Sequence, residues 1–152
     1  METQTIAWKN PEGGVNVTII PEGQKDKFIG DTKHYIEITA PVKVDPTNNY
    51  RDAWIWADNN IALDISLARE ISKSRIRDLR NRHLLRLDEE QLIAIGKQDN
   101  DKIKEIEKEK QLLRDIPETI DWDKANSAYD LNHIMPVELT APLPERFKYI
   151  NI

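Results

Sequence analysis

From Asp64 to Ile116 the chain has no proline and one glycine, Gly96, and apolar residues recur there at three- and four-residue spacing. A run of that length and period folds as helix rather than strand. Asp64 is a good N-cap, because its carboxylate accepts the free amides of a following first turn. Ile65, Ala68, Ile71, Ile76, Leu79 and Leu87 share one broad arc at about 100° per residue. Leu85, Asp88, Leu92 and Ile95 then follow coiled-coil spacing, and Gly96 is the residue type that ends a helix in a left-handed conformation. Lys97 to Asp101 reads as a turn, with Asp99 or Asp101 capping a second helix in which Ile103, Ile106, Lys110 and Leu113 repeat the spacing until Pro117 closes it. The expectation is an antiparallel helical hairpin zipped along Leu85, Leu92, Ile95, Ile103, Ile106 and Leu113.

The residues before this run have a period of two. Thr5 to Trp8 and Val15 to Ile20 flank Pro11-Glu12-Gly13-Gly14, a connection whose glycines permit the positive φ angles of hairpin loops. Tyr35 to Ile38 and Ala53 to Trp56 are further strand-like runs, separated by a segment with Pro41, Pro46, Asn48 and Asn49 that breaks regular structure. Alternation puts Trp54 and Trp56 on one strand face, where the pair either covers the edge of a small core or forms a docking patch. Beyond Pro117, Asn126 to Ile134 predicts one short helix. The stretch from Pro136 reads as extended, with Phe147, Tyr149 and Asn151 alternating like a strand that could add to a sheet. The fold class expected is α+β: a small antiparallel β-meander (1–62), a long α-helical hairpin (63–117), and a short helix with an extended C-terminal tail (118–152).

A chain of 152 residues can bury a modest core without covalent staples. Cysteine is absent, which removes disulfides, thiolate catalysis and cysteine-ligated zinc together and fits a reducing compartment. Met1 to Asn10 shows no basic segment followed by an apolar run, and no stretch approaches the roughly 20 apolar residues that span a bilayer, so no membrane role is expected.

Catalytic patterns are missing as well. His34, His83 and His133 stand singly, without metal-ligand spacing, and read as surface or interface residues. The glycines build no phosphate-cradling loop. Asp99-Asn100-Asp101 lacks the rest of a calcium loop, since the twelfth position is Lys110. Acidic groups such as Asp88-Glu89-Glu90 and Asp121-Trp122-Asp123 are solvated or capping residues, with nothing that sets a pair at a catalytic separation. No enzyme, metal or cofactor is expected.

Charge is unevenly spread. Between Arg69 and Arg86 lie seven cations (Arg69, Lys73, Arg75, Arg77, Arg80, Arg82, Arg86) against two acids, in a chain whose net charge is −5. Such a helix can track phosphates, and a regulator that binds nucleic acid through residues 69–86 is the alternative function. The cations nevertheless surround the helix rather than forming a stripe, and no aromatic residues interleave to stack bases. Arg75 and Arg82, near the apolar arc, are instead candidate protein contacts, together with Trp54, Trp56, Phe147 and Tyr149.

The blocks Ala68-Arg69-Glu70-Ile71, Ile76-Arg77-Asp78-Leu79-Arg80, Leu84-Leu85-Arg86-Leu87-Asp88, Ala94-Ile95-Gly96 and Lys110-Gln111-Leu112-Leu113-Arg114-Asp115-Ile116-Pro117 resemble the C-terminal region of small phage and prophage tail proteins. The last is similar to the Arg-Gln-x-Leu-Arg-Asp-Ile-Pro signature of phage tail assembly chaperones. The likeness spans roughly Asp64 to Leu139; the tryptophan-rich stretch and Pro-Gly-Phe-Pro ending of that family are missing. It implies a non-enzymatic protein of tail or tail-fibre assembly, or a minor tail component, whose partners are other tail proteins or further copies of itself. The implied location is the host cytoplasm during assembly or the virion tail. Lys110, Gln111, Leu113, Arg114, Asp115 and Pro117 carry the motif. In physical terms Leu112 and Leu113 are apolar anchors there, and Arg114 and Asp115 can bridge neighbouring helix ends.

Overall fold

The computed structural model describes residues 1–30 and 34–149. The protein is α+β, with an antiparallel three-stranded sheet followed by two long helices that pack together and a short C-terminal tail. Two compact units form: residues 1–69 with 126–131, and residues 70–125 with 132–152. The division falls inside the first long helix and groups residues 126–131 with the first unit.

In the first unit, β1 (Thr3–Lys9) and β2 (Val15–Pro21) form the expected hairpin. Its loop is closed by Asn10, whose carbonyl accepts the Gly13 amide at 3.0 Å, while Gly13 and Gly14 take φ of 101° and 82°. A five-residue helical turn, α1 (Lys25–Ile29), follows where no periodicity announces it. Strand β3 (Tyr35–Glu37) then returns to the other side of β1, giving the order β2-β1-β3. β1 is therefore the central strand, and the sheet is not the serial meander expected. β4 (Trp54–Ala57) and β5 (Asn60–Leu63) make a separate hairpin. Its two-residue turn, Asp58-Asn59, has both φ angles positive (51° and 57°), which is the geometry that matches strand twist.

Pleating gives the three-stranded sheet two apolar faces. Ile6 and Ile20 pack with Ile29 and Trp8 on one face. On the other, Ala7 joins Trp54 and Ile61, with Val17, Ile36, Ile38, Val42 and Trp56 around them.

Helix α2 runs Ile65–Gly96 and α3 runs Asn100–Thr119. Asp64 caps α2, its Oδ1 accepting the Leu67 amide at 3.0 Å, and Asp99 caps α3 by accepting the Lys102 amide at 3.0 Å. The turn between them departs from expectation. Gly96 remains helical, and Gln98 takes the left-handed φ of 56°. The Asp99 amide donates to the Ala94 carbonyl (2.9 Å) and the Gln98 amide to the Ile95 carbonyl (3.0 Å), the two bonds of a Schellman cap centred on Gln98. Pro117 does not close α3, which continues to Thr119: proline's φ is helical, and so near the end its missing N–H removes a single bond.

In the tail, α4 (Ala128–Asn132) falls where a short helix was predicted. Val137–Leu139 and α5 (Glu145–Lys148) are short helical turns that interrupt the extended segments. The alternation of Phe147 and Tyr149 is thus not a strand, and Ile150, Asn151 and Ile152 lie outside the described residues.

Candidate functional site

The hairpin of the second unit has two faces that the sequence does not distinguish. Ile76, Leu87 and Ala94 of α2 meet Ile106, Leu113 and Ile116 of α3 and Leu139 of the tail, with Ile103, Ile134 and Trp122 at the margin. The α3 half of the expected seam, Ile103, Ile106 and Leu113, faces this core. The α2 half does not: Leu85, Leu92 and Ile95 are 36%, 70% and 53% exposed. At 3.6 residues per turn, Leu85 and Leu92 lie roughly 140–160° around the helix from Leu87. Heptad-spaced apolar residues occupy both faces of α2, so spacing alone chose the wrong set.

Polar complementarity accompanies the face that packs. Buried Lys110 meets Asp88 at 2.6 Å and also donates to the Gln91 side-chain oxygen. Gln91 passes its own amide to Glu107, and Arg86 joins Glu90 at 2.5 Å and Glu109 at 3.1 Å. His83 is buried beside them. Loss of hydration holds its imidazole below the usual histidine range, the Arg86 cation adds to that, and a hydrogen bond with the Leu139 backbone opposes it. The expectation of a surface or interface histidine fails at this position.

The face turned away from α3 is the unassigned surface. Leu85 and Leu92 lie along it and Ile95 borders it, all exposed, whereas Ile93, also exposed, sits on the other flank of the helix beside Asp99 and Lys102. Glu89, between Leu85 and Leu92, is tied to Arg146 of α5 at 2.8 Å. The result is an apolar stripe about 15 Å long from Leu85 to Ile95, edged by a charge pair.

Other candidate residues are placed as follows. Trp54 is 4% exposed and its indole Nε1 donates to Asp45, so it is core rather than a partner contact; Trp56 packs half-buried on the same cluster. Phe147 is likewise buried, because the helical turn α5 folds it inward, whereas Tyr149 is exposed. Arg82 is spent within the chain, its guanidinium donating to the Lys148 carbonyl, and Arg75 is exposed. In the motif, Gln111 donates to Asp115 at 2.8 Å on its own helix, which leaves Asp115 serving α3 rather than a neighbouring helix end. Leu113 is an anchor, but Leu112 and Arg114 face solvent.

Most of the cations between Arg69 and Arg86 have partners within the chain, among them Arg69 with Asn126, Lys73 with Glu70, Arg80 with Asn81, Arg82 with Lys148, and Arg86 with Glu90 and Glu109. Among the described residues no group of three histidine or carboxylate side chains converges as a metal site, and no helix is long and apolar enough to cross a membrane. In comparisons with known proteins, no family model, curated protein or solved structure matches this chain.

Proposed function

We propose that this chain is a non-enzymatic interaction protein of phage tail assembly, acting as a chaperone or minor tail component, and that it engages its partners through the outward face of α2. The apolar stripe Leu85, Leu92 and Ile95 carries the reading. Large apolar side chains gathered on one exposed helix face are costly in water and mark contact surfaces. The Lys110-to-Pro117 motif supplies the partner class through its resemblance to tail assembly chaperones. The acting location under this reading is the host cytoplasm during assembly, or the virion tail. The internal pairing of the arginines weighs against nucleic acid, since phosphate tracking needs cations free to face the duplex.

The test is co-purification of the full chain with tail proteins, alongside mass spectrometry of purified virions. Replacing Leu92 and Ile95 together by lysine changes only exposed side chains, so it should leave the fold intact and abolish the association. Undiminished association in that variant, or no association of the native chain with any tail protein, sinks the reading. Detection in virions separates a structural component from a chaperone.

A further inference from the structure

The first unit contains a feature that the hairpin reading does not use. Between the second apolar face of the sheet and the segment following β3 lies a cleft of about 650 Å³. Val17, Ile19, Ile38, Val42 and Trp54 form its apolar walls. Its lining has one charged residue, Arg51, and no carboxylate, in a chain where acids outnumber cations 27 to 22. Arg51 makes no ion pair among the described residues. Trp54 is held rigidly: Asp45, fully buried behind it, accepts from the indole at 3.0 Å and from the Tyr50 amide at 2.8 Å.

The cleft adjoins an unprotected sheet edge. In the order β2-β1-β3 both outer strands have, among the described residues, a side with no paired strand. β3 is only three residues long and carries Glu37, which are ordinary defences against unwanted pairing. β2 has neither. Val15 to Ile20 contains five β-branched residues and no charge, and among the described residues the backbone of Val17, Thr18 and Ile19 pairs only with β1. Ile19, on the same face as Val17 and Thr5, is 69% exposed, so the apolar lining of the cleft runs on to the free edge.

We propose that the β2 edge and its cleft bind an extended peptide bearing a carboxylate. The peptide adds as a fourth strand beside Val17–Ile19, its backbone supplying the missing hydrogen bonds. Every second side chain falls on the cleft face, where apolar residues cover Ile19 and Val17. Its carboxylate answers Arg51, the single uncompensated charge of the lining. An unpaired edge supplies affinity for backbone, and the walls and Arg51 supply the choice of sequence.

The experiment titrates the full chain, by calorimetry, with a synthetic octapeptide of alternating valine and serine ending in a free glutamate. A second peptide ends in glutamine amide, and a third carries N-methyl groups at alternate residues. The acidic peptide should bind; loss of the carboxylate or Arg51→Ala should each weaken binding about tenfold or more, and N-methylation or Ile19→Lys should remove it. Arg51 and Ile19 are exposed, and far-UV circular dichroism checks that both variants fold; if Ile19→Lys does not, the peptide series and Arg51→Ala decide. Absence of binding at millimolar peptide overturns the proposal. So does equal binding of all three peptides, or binding of decanoate but not peptide, which would make the cleft a small-amphiphile site. Sedimentation showing a dimer that Ile19→Lys dissociates would place a second copy of the chain on this edge and overturn it equally.

Discussion

The ammonium of Lys110, on α3, lies 2.6 Å from the carboxylate of Asp88, on α2, and the lysine is buried although the aspartate is more than half exposed. The lysine stem therefore packs in the hairpin while its charge reaches the margin, where Asp88 and Gln91 receive it. Two antiparallel helices joined only by leucine and isoleucine can slide by a turn at little cost. A buried cation that meets its partners in one alignment makes such a slip expensive.

Lys110→Ala should therefore destabilise the protein by about 1–3 kcal/mol, because it removes packing and leaves Gln91 without one partner. Lys110→Met, which keeps the apolar stem and removes the charge, should cost less than half as much. Urea denaturation of both variants checks the order; equal losses would mean that the charge, not the stem, carries the contact.

Asp45 gives a second prediction, in the first unit. Removing its carboxylate strands the Tyr50 amide and the Trp54 indole N–H in a buried site. Asp45→Ala is expected to cost about 2–4 kcal/mol and to change the near-ultraviolet circular dichroism of tryptophan. Asp45→Asn retains an acceptor oxygen and should lie between it and the native chain.

The sequence was most legible where local chemistry decides. Asp64 and Asp99 cap helices because a short carboxylate before an amphipathic run has one good use, and Gly13-Gly14 turns a hairpin because few residues take its φ angles. Legibility failed where tertiary context decides. α2 carries apolar residues at Leu85 and Leu92 and again at Ile76, Leu87 and Ala94, and only the partner helix picks between these sets. Trp54 and Trp56 alternate identically, yet Asp45, nine residues from Trp54, makes the first of them core. Asp58-Asn59 carried a readable signal, two residues tolerant of left-handed backbone between β-rich runs, which locates the β4–β5 hairpin.

His83 predicts a dependence on pH. Its imidazole in the fold titrates below the ordinary value of about 6.5, so the folded chain favours the neutral form. Its contribution to stability is complete above that ordinary value and declines as pH falls from about 6.5 toward the lowered folded value, because the unfolded chain takes up the proton first. The urea midpoint should fall between pH 7.5 and 5.5, and the fall should be smaller in His83→Gln. The same pH slope in both chains would clear His83.

The hairpin turn gives the sharpest test, because the glycine stands two residues before the position that needs one. Gly96 is helical, and a Cβ added there meets nothing within 4 Å, so Gly96→Ala should stabilise the protein by about 0.5–1 kcal/mol through helix propensity and a less flexible unfolded chain. Gln98 holds φ at 56°, where a side chain is strained, so Gln98→Gly should also stabilise, by up to about 1 kcal/mol. The two changes act on different backbone sites, and the double variant should approach their sum. A helix ending at Gly96 in the left-handed conformation would reverse the first sign, making alanine there destabilising. Thermal and urea unfolding of the three variants therefore distinguish a cap centred on Gln98 from one centred on Gly96.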